Sequence, residues 1–170
     1  MKKEEFISFK GYQGFSMDEM IICSQQFLSE MEKRRSIRDF SPQSFPRKVI
    51  ENCILVASSA PSGANRQPWQ FVIVSNPMVK KEIRREAEKR EEIFYQGIAT
   101  KNWVKDLESL GTNASKPFLE EAPYLIVIFA QRYSWSGNRA KPKQMNYYVP
   151  ESVGIATGML ITAIHHVGLA

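Results

Sequence analysis

The sequence predicts an α/β (α+β) fold with a central mixed sheet flanked by helices. Amphipathic segments with apolar residues at helical spacing alternate with two short aliphatic runs, residues 72–74 and 124–129, that favour strands. The chain has 170 residues, of which 43% are hydrophobic and 24% charged, and this suffices for one globular domain with a buried core. We therefore expect a single domain over residues 1–170.

The first part of the chain predicts an N-terminal arm over residues 1–15 and then two helices. Ser16 and Glu19 have the spacing of a capping box, which starts a helix that runs into a cluster of arginines. Pro46 suits the first turn of a second helix, which ends at the small residues around Ala60. The apolar positions are Met20, Phe27 and Met31 in the first helix, then Val49, Ile50, Cys53, Val56 and Ala57 in the second.

The remainder predicts two strands, two further helices and a lid. A strand over residues 70–75 precedes Asn76, which has the N-cap preference of a third helix. The pattern weakens over residues 96–121, although Trp103, Val104 and Leu107 suggest a short helix there. A segment this long indicates a lid-like active-site element in a compact domain. Residues 124–129 indicate a strand covered on both faces, and Pro150 opens the last helix.

Charge and cysteine usage narrow the partners and the compartment. The net charge is +5, but acids alternate with bases as on a solvated helix face, so no nucleic-acid partner is expected. Cys23 and Cys53 lie far apart in apolar helical patterns and indicate buried thiols in a reducing compartment. Neither a leader peptide nor a bilayer span is indicated, so we expect a cytoplasmic protein without a membrane partner.

A run of basic residues lies directly after the first helix. It puts three guanidinium groups and a hydroxyl within five positions, and arginine forks suit phosphate oxygens because they donate two parallel hydrogen bonds. Taken alone, the run is better explained as a solvated basic helix end. Its members are Arg34, Arg35, Ser36, Ile37 and Arg38.

A loop of small residues separates the second helix from the first strand. Its residues favour unusual backbone angles, and it offers backbone N–H groups, a hydroxyl and a carboxamide to a flat or anionic ligand. Most loops of this composition bind nothing, so the loop alone is weak support for a site. Its members are Pro61, Ser62, Gly63, Ala64 and Asn65.

The order, separation and content of these two motifs together resemble the FMN-binding signature of the nitroreductase superfamily. The resemblance implies a nitroreductase-like FMN-binding fold and an FMN-dependent oxidoreductase. It also implies that the arginines and Ser36 hold the ribityl phosphate while the loop of residues 61–65 lies along the flavin ring. A homodimer that shares its two sites is implied in the same way.

Three further residues bear on the substrate. Glu91 and Tyr95 are four positions apart near the end of the third helix, so they share one face, and Lys116 lies near the end of the suspected lid segment. From spacing alone, an exposed acid, a tyrosine that ends an apolar stripe and a loop lysine explain them better. The segment nevertheless resembles the lid of iodotyrosine deiodinases, in its Glu91–Tyr95 stretch, its Asn102-Trp103-Val104-Lys105-Asp106-Leu107 run, Thr112-Asn113 and Lys116.

This second resemblance implies reductive dehalogenation of halotyrosines. Glu91, Tyr95 and Lys116 would bind the zwitterion of the amino acid, and the backbone at Ala64 would lie close to the substrate phenolate. Reduced flavin would supply electrons to the carbon–halogen bond, which leaves orientation and electrostatics to the protein. The sequence indicates no dedicated general base, nucleophile or metal site, so no catalytic residue is assigned.

Departures from the resembled families leave alternatives open. The sequence contains no counterpart of the membrane anchor of mammalian deiodinases, and it ends before the strand and extension with which family members continue. A C-terminally truncated bacterial homologue with weak FMN binding is therefore the expectation. A broad-specificity NAD(P)H nitroreductase acting on nitroaromatics, a flavin-binding fragment without turnover, and a basic nucleic-acid binder are the alternatives, in that order. The preferred halogen and the electron donor stay open.

Overall fold

The computed structural model describes residues 8–134 and 144–170. The chain divides into two compact units, Met1–Arg35 and Ser36–Ala170. Of the predicted N-terminal arm, residues 1–7 lie outside the described residues, and residues 8–15 are exposed and contain neither helix nor strand.

The first unit contains helix α1, Met17–Met31, which begins as the capping box predicts. The Ser16 Oγ accepts from the Glu19 N–H at 3.3 Å, and the Glu19 Oε2 accepts from the Ser16 N–H at 2.8 Å. No residue of α1 is buried, and Cys23 is exposed, so the prediction of a buried thiol is wrong at this position. The spacing of apolar residues indicates a helix correctly, but it carries no information about what covers the stripe.

The second unit contains the remaining helices and strands of the described residues. Asn76 caps the third helix, α3 (Pro77–Ile93), as predicted, because its Oδ1 accepts from the N–H groups of Met78 and Val79. In chain order the elements are α2 Arg47–Ser58, β1 Trp69–Val74, α3 Pro77–Ile93, α4 Lys101–Ser109, α5 Phe118–Glu121, β2 Leu125–Ala130, β3 Tyr133–Ser134, β4 Gln144–Met145 and α6 Val149–His166.

The core of this unit lies where α2 and α6 pack against the sheet formed by β1 and β2. These strands pair antiparallel, from Trp69 opposite Ala130 to Val74 opposite Leu125. Strand β2 is half-buried at its start and exposed at its end, so the expectation of a strand covered on both faces is wrong within the described residues. The core comprises one cluster around Cys53, Ala57 and Leu160, and another around Ala60, Trp69 and Ala156. Burial raises the pKa of the Cys53 thiol.

The segment predicted as a lid is largely helical. A π-helical turn, Phe94–Ile98, extends α3, and α4 follows with Thr100 as its N-cap. The Phe94 and Trp103 rings meet edge to face with centroids 5.0 Å apart, which fixes α4 against the end of α3. Helix α5 then returns the chain along α3. Within the described residues, none of the helices combines the length and apolarity that a bilayer crossing requires.

Candidate functional site

The loop between α2 and β1 has an unusual backbone. Ala64, Asn65 and Gln67 have φ values of 49°, 52° and 48°, which lie in the left-handed region that favours glycine. Each costs about 1–2 kcal/mol in this conformation, and such outliers concentrate at functional sites because the surrounding structure must hold them. Ala64 and Asn65 are also exposed, so their backbone is accessible to a ligand.

Contacts from inside the loop and from α6 hold this conformation. The Ser62 Oγ accepts from the Gln67 N–H at 2.9 Å, which closes the turn. The Gly63 N–H donates to the Oγ of Ser152 at 3.3 Å, and Ser152 is buried in the first turn of α6. Ser152 is a supporting residue that sequence reasoning missed, since 89 positions separate the partners and no local pattern joins them.

Replacing Gly63 with alanine is expected to lower the free energy of unfolding by about 1–3 kcal/mol, because overpacking forces the backbone to move. A Cβ at this position would lie 2.8 Å from the Tyr147 carbonyl oxygen and 3.0 Å from the Tyr148 Cδ2. Urea denaturation measures the loss. The matched control is Gly158→Ala in α6, where an added Cβ has nothing within 4 Å. A Gly63→Ala variant as stable as the control would contradict the close approach.

The basic run spans the boundary of the two units. Arg34 and Arg35 belong to the first unit, whereas Ser36, Ile37 and Arg38 begin the second and are exposed. The Arg35 guanidinium donates to the carbonyl oxygens of Glu32 and Arg34. The convergence of this run and the loop of residues 61–65 on one FMN stays a prediction.

Three of the four predicted substrate-binding residues, Glu91, Tyr95 and Lys116, lie around one turn of the chain. The Lys116 Nζ lies 3.0 Å from the Glu91 Oε2, and it also donates to the Asn113 carbonyl oxygen. The Tyr95 hydroxyl donates to the Thr112 carbonyl oxygen at 3.3 Å. The Lys116 side chain is only 12% exposed. A cation, an anion and a phenol hydroxyl therefore lie around the turn that precedes α5. That they bind the zwitterion of an amino acid stays a prediction.

One polar stripe of α3 holds this turn and α5 in place. The Glu88 Oε1 accepts from the Lys116 backbone N–H at 2.7 Å and from the Arg84 Nε at 2.8 Å. These two bonds hold the pKa of the Glu88 carboxyl below its usual range, the Lys116 N–H having the larger effect. Lys80 lies one helical turn before Arg84 in α3 and is buried. Its Nζ donates to the carbonyl oxygens of Glu120 and Ala122 at 2.8 and 2.7 Å.

Sequence reasoning missed Lys80, Arg84 and Glu88. They lie in the most charged stretch of the chain, which has the composition of a solvated helix face. The available signal was their spacing of four residues, which a step of three continues onto Glu91, and this spacing places all four on one side of α3. Among the described residues, no group of three or more His, Cys, Asp or Glu side chains could hold a metal ion.

Comparison with known proteins identifies the family of this chain. The profile of the Nitroreductase family matches residues 31–170. The iodotyrosine deiodinase of Haliscomenobacter hydrossis is 48% identical over 168 residues, which cover 99% of this chain and 74% of that protein. Human iodotyrosine deiodinase 1 is 44% identical over 151 residues, which cover 89% of this chain and 52% of that protein.

A solved structure of this kind shares the fold. A crystal structure of oxidised iodotyrosine deiodinase bound to FMN and 3-iodo-L-tyrosine superposes with a TM-score of 0.70 and 33% sequence identity. The match covers 84% of this chain and 70% of that one. The chain thus spans about three quarters of the bacterial relative and about half of the human one. The predicted fold is confirmed, and this chain belongs to the nitroreductase family.

Proposed function

We propose that this chain is an FMN-dependent oxidoreductase that removes halide reductively from halotyrosines. The observation that carries the proposal is the gathering of Glu91, Tyr95 and Lys116 around one turn, with the Lys116 Nζ 3.0 Å from the Glu91 Oε2. These residues are complementary to a free amino acid, which carries one positive and one negative group. The similarity to iodotyrosine deiodinases, at 48% identity in the bacterial relative, supports the same substrate class.

The bound amino acid replaces the ion pair between Glu91 and Lys116. The Glu91 carboxylate accepts from the α-ammonium group and Lys116 donates to the α-carboxylate. The Tyr95 hydroxyl either donates to the α-carboxylate or accepts from the α-ammonium group. Charge-assisted hydrogen bonds of this kind are about twice as strong as neutral ones. Because Lys116 is largely withdrawn from solvent, little water competes for it. The ion pair between Glu91 and Lys116 is thereby replaced by two ion pairs between the protein and the substrate, and these orient the substrate before reaction.

The proposed FMN site comprises the basic run and the loop. The exposed Ser36 and Arg38 suit a phosphate, and the exposed left-handed backbone at Ala64 and Asn65 suits the flat face of a ring. When bound in its reduced form, FMN would supply the electrons and the proton that replace the carbon–halogen bond by a carbon–hydrogen bond, with release of halide. The chain's own task is to orient the ring, and we assign to the Ala64 backbone the contact with the substrate phenolate. The full proposed set is Arg34, Arg35, Ser36, Ile37, Arg38, Pro61, Ser62, Gly63 and Asn65.

We also propose that the protein acts as a homodimer. Several large apolar side chains of α1, among them Met17, Phe27 and Leu28, are more than half exposed. Met17, Ile21 and Leu28 share one face of α1 by helical spacing, and an exposed apolar face on a folded protein suits contact with a partner. Sedimentation equilibrium of the purified protein measures the mass, and a monomer at micromolar concentration would contradict the proposal.

The proposed compartment is the cytoplasm. Cys23 and Cys53 are both free thiols, and proteins of oxidising compartments tend to carry disulfides instead. Fractionation of the native cells, followed by detection of the protein, tests this assignment. No nucleic-acid or membrane partner enters the proposal.

The function is tested by an anaerobic titration. The protein is loaded with FMN, reduced with dithionite and mixed with 3-iodotyrosine, and we expect the oxidised flavin absorbance to return together with stoichiometric iodide. Glu91→Gln should impair this turnover, because it removes the charge that meets the ammonium group, without impairing flavin reduction. Neither reoxidation nor iodide from the wild-type protein would remove the substrate assignment.

The same experiment separates the alternatives. Reoxidation by a nitroaromatic compound but not by 3-iodotyrosine would identify a broad-specificity nitroreductase instead. A yellow protein that binds FMN and is reoxidised by neither compound would be a flavin-binding protein without turnover.

A further inference from the structure

The Glu88 carboxylate has an unusual partner for an acid on a charged helix. Its Oε1 accepts from the backbone N–H of Lys116, which lies 28 positions further along the chain. The bond is 2.7 Å long, at the short end for an N–H donor. Arg84, one turn earlier in α3, donates its Nε to the same oxygen at 2.8 Å. The carboxylate thus joins α3 to the residue that supplies the cation of the proposed substrate site.

Glu86, two positions before Glu88 in α3, provides a contrast to it. Glu86 lies on the opposite face, since two residues correspond to about 200° of helix rotation. It is 58% exposed and pairs with the adjacent Arg85. The Glu88 side chain is 25% exposed, and its guanidinium partner, Arg84, also lies 3.5 Å from a carboxylate oxygen of Glu120 in α5. Glu88 is therefore held in place from two sides, whereas Glu86 is a solvated charge.

We propose that Glu88 is a positioning residue for the proposed substrate site. It fixes the backbone of Lys116, and through it the Nζ that meets the substrate carboxylate, while Arg84 orients the Glu88 carboxylate. Glu88 itself touches no substrate atom. A hydrogen bond to the backbone of Lys116 suits this task, because it sets the position of the Lys116 Cα. The Lys116 Nζ can then leave Glu91 and bind the substrate carboxylate. The inference rests on the proposed function.

The hydrogen bond between Glu88 and the Lys116 N–H predicts that a change at Glu88 affects the binding of substrate and not the binding of FMN. Glu88→Ala removes the acceptor and should weaken 3-iodotyrosine binding about 10- to 100-fold, as expected when a charge-assisted bond is lost. FMN affinity should stay within about 2-fold, because the contacts of Glu88 are with Arg84 and Lys116 and it is not among the residues proposed to hold the flavin. Glu88→Gln keeps a carbonyl oxygen for the Lys116 N–H and should recover binding to within about 5-fold of wild type.

The experiment uses the FMN-loaded full chain, with flavin fluorescence reporting 3-iodotyrosine binding. Amide hydrogen exchange is measured in parallel at Lys116, and Glu88→Ala should accelerate it at least about 10-fold, because a protected N–H becomes free. Glu86→Ala is the matched control, since it removes an acid from the same helix without touching residue 116. It should leave both the affinity and the exchange rate unchanged.

Each outcome decides the inference. Wild-type affinity in Glu88→Ala, or an equal loss in Glu86→Ala, overturns it. So does a loss of FMN binding as large as the loss of 3-iodotyrosine binding, because that pattern means general damage to the fold. If the wild-type chain fails to bind 3-iodotyrosine at all, the proposed function fails. The exchange rate at Lys116 then decides the positioning role alone: faster exchange in Glu88→Ala supports it, and unchanged exchange overturns it.

Discussion

Replacing Lys116 with methionine is expected to weaken 3-iodotyrosine binding by about 100-fold while FMN stays bound. The Nζ is the cation of the proposed site, and its side chain is only 12% exposed. A charge-assisted hydrogen bond in such surroundings contributes about 1.5–3 kcal/mol, and 2.7 kcal/mol corresponds to roughly 100-fold. Methionine keeps the length and the apolar stem of lysine, so the loss reports on the charge. Quenching of flavin fluorescence by added 3-iodotyrosine measures the affinity.

The matched control for this variant is Lys89→Met. Lys89 is an exposed lysine of α3, and its replacement removes the same charge from the same unit. We expect unchanged affinity in this control. Tight binding of 3-iodotyrosine by Lys116→Met would mean that the cation is not part of the substrate site, whatever the activity of the wild-type protein.

Features set by neighbouring residues were predictable from the sequence. The capping box of Ser16 and Glu19 starts α1, and Asn76 caps α3, because both signals act over three or four residues. Strand β1, Trp69–Val74, lies one residue earlier than the predicted range of 70–75. Strand β2, Leu125–Ala130, lies one residue later than the predicted range of 124–129. Such shifts arise because the ends of strands depend on pairing with a partner, which local sequence does not specify.

Burial was less predictable, because it depends on residues distant in the chain. Cys23 and Cys53 lie in similar apolar patterns, yet only Cys53 is buried, in the cluster that α2 forms with α6. Lys80 shows the reverse case. Nothing in a run of lysines, arginines and glutamates distinguishes a buried ammonium group from a solvated one, and its partners are 40 and 42 positions away.

In the candidate site, too, some features follow from the local sequence and others depend on residues distant in the chain. The left-handed backbone of Ala64 and Asn65 agrees with a loop whose small and amide residues favour unusual angles, a property of the local sequence. The grouping of Glu91 and Tyr95 also follows from helical spacing. Lys116 joins them only because α4 and α5 turn the chain back along α3, and spacing alone favoured an unrelated loop lysine. The resemblance to deiodinases supplied that link, and the ion pair agrees with it.

Replacing Lys80 with methionine is expected to lower the free energy of unfolding by about 2–4 kcal/mol. The Nζ of this buried residue donates to the carbonyl oxygens of Glu120 and Ala122, at the C-terminal end of α5. The last carbonyls of a helix have no partner within the helix, and each one left buried without a donor costs about 1–3 kcal/mol. Methionine fills a similar volume without a donor. Urea denaturation measures the change, and the dependence of the free energy of unfolding on urea concentration should be the same in the variant and the wild type.

Lys81→Met is the control, because Lys81 is the exposed neighbour of Lys80 on the same helix and should tolerate the change within about 0.5 kcal/mol.

Lys80 holds the far end of the segment whose near end is held by Glu88, so its loss should also loosen the turn that carries Lys116. We therefore expect Lys80→Met to lose 3-iodotyrosine affinity even at temperatures where it is fully folded. Equal stability of Lys80→Met and wild type would mean that the cost of burying the ammonium group offsets its two hydrogen bonds, and α5 would then be held by Arg84 and packing alone.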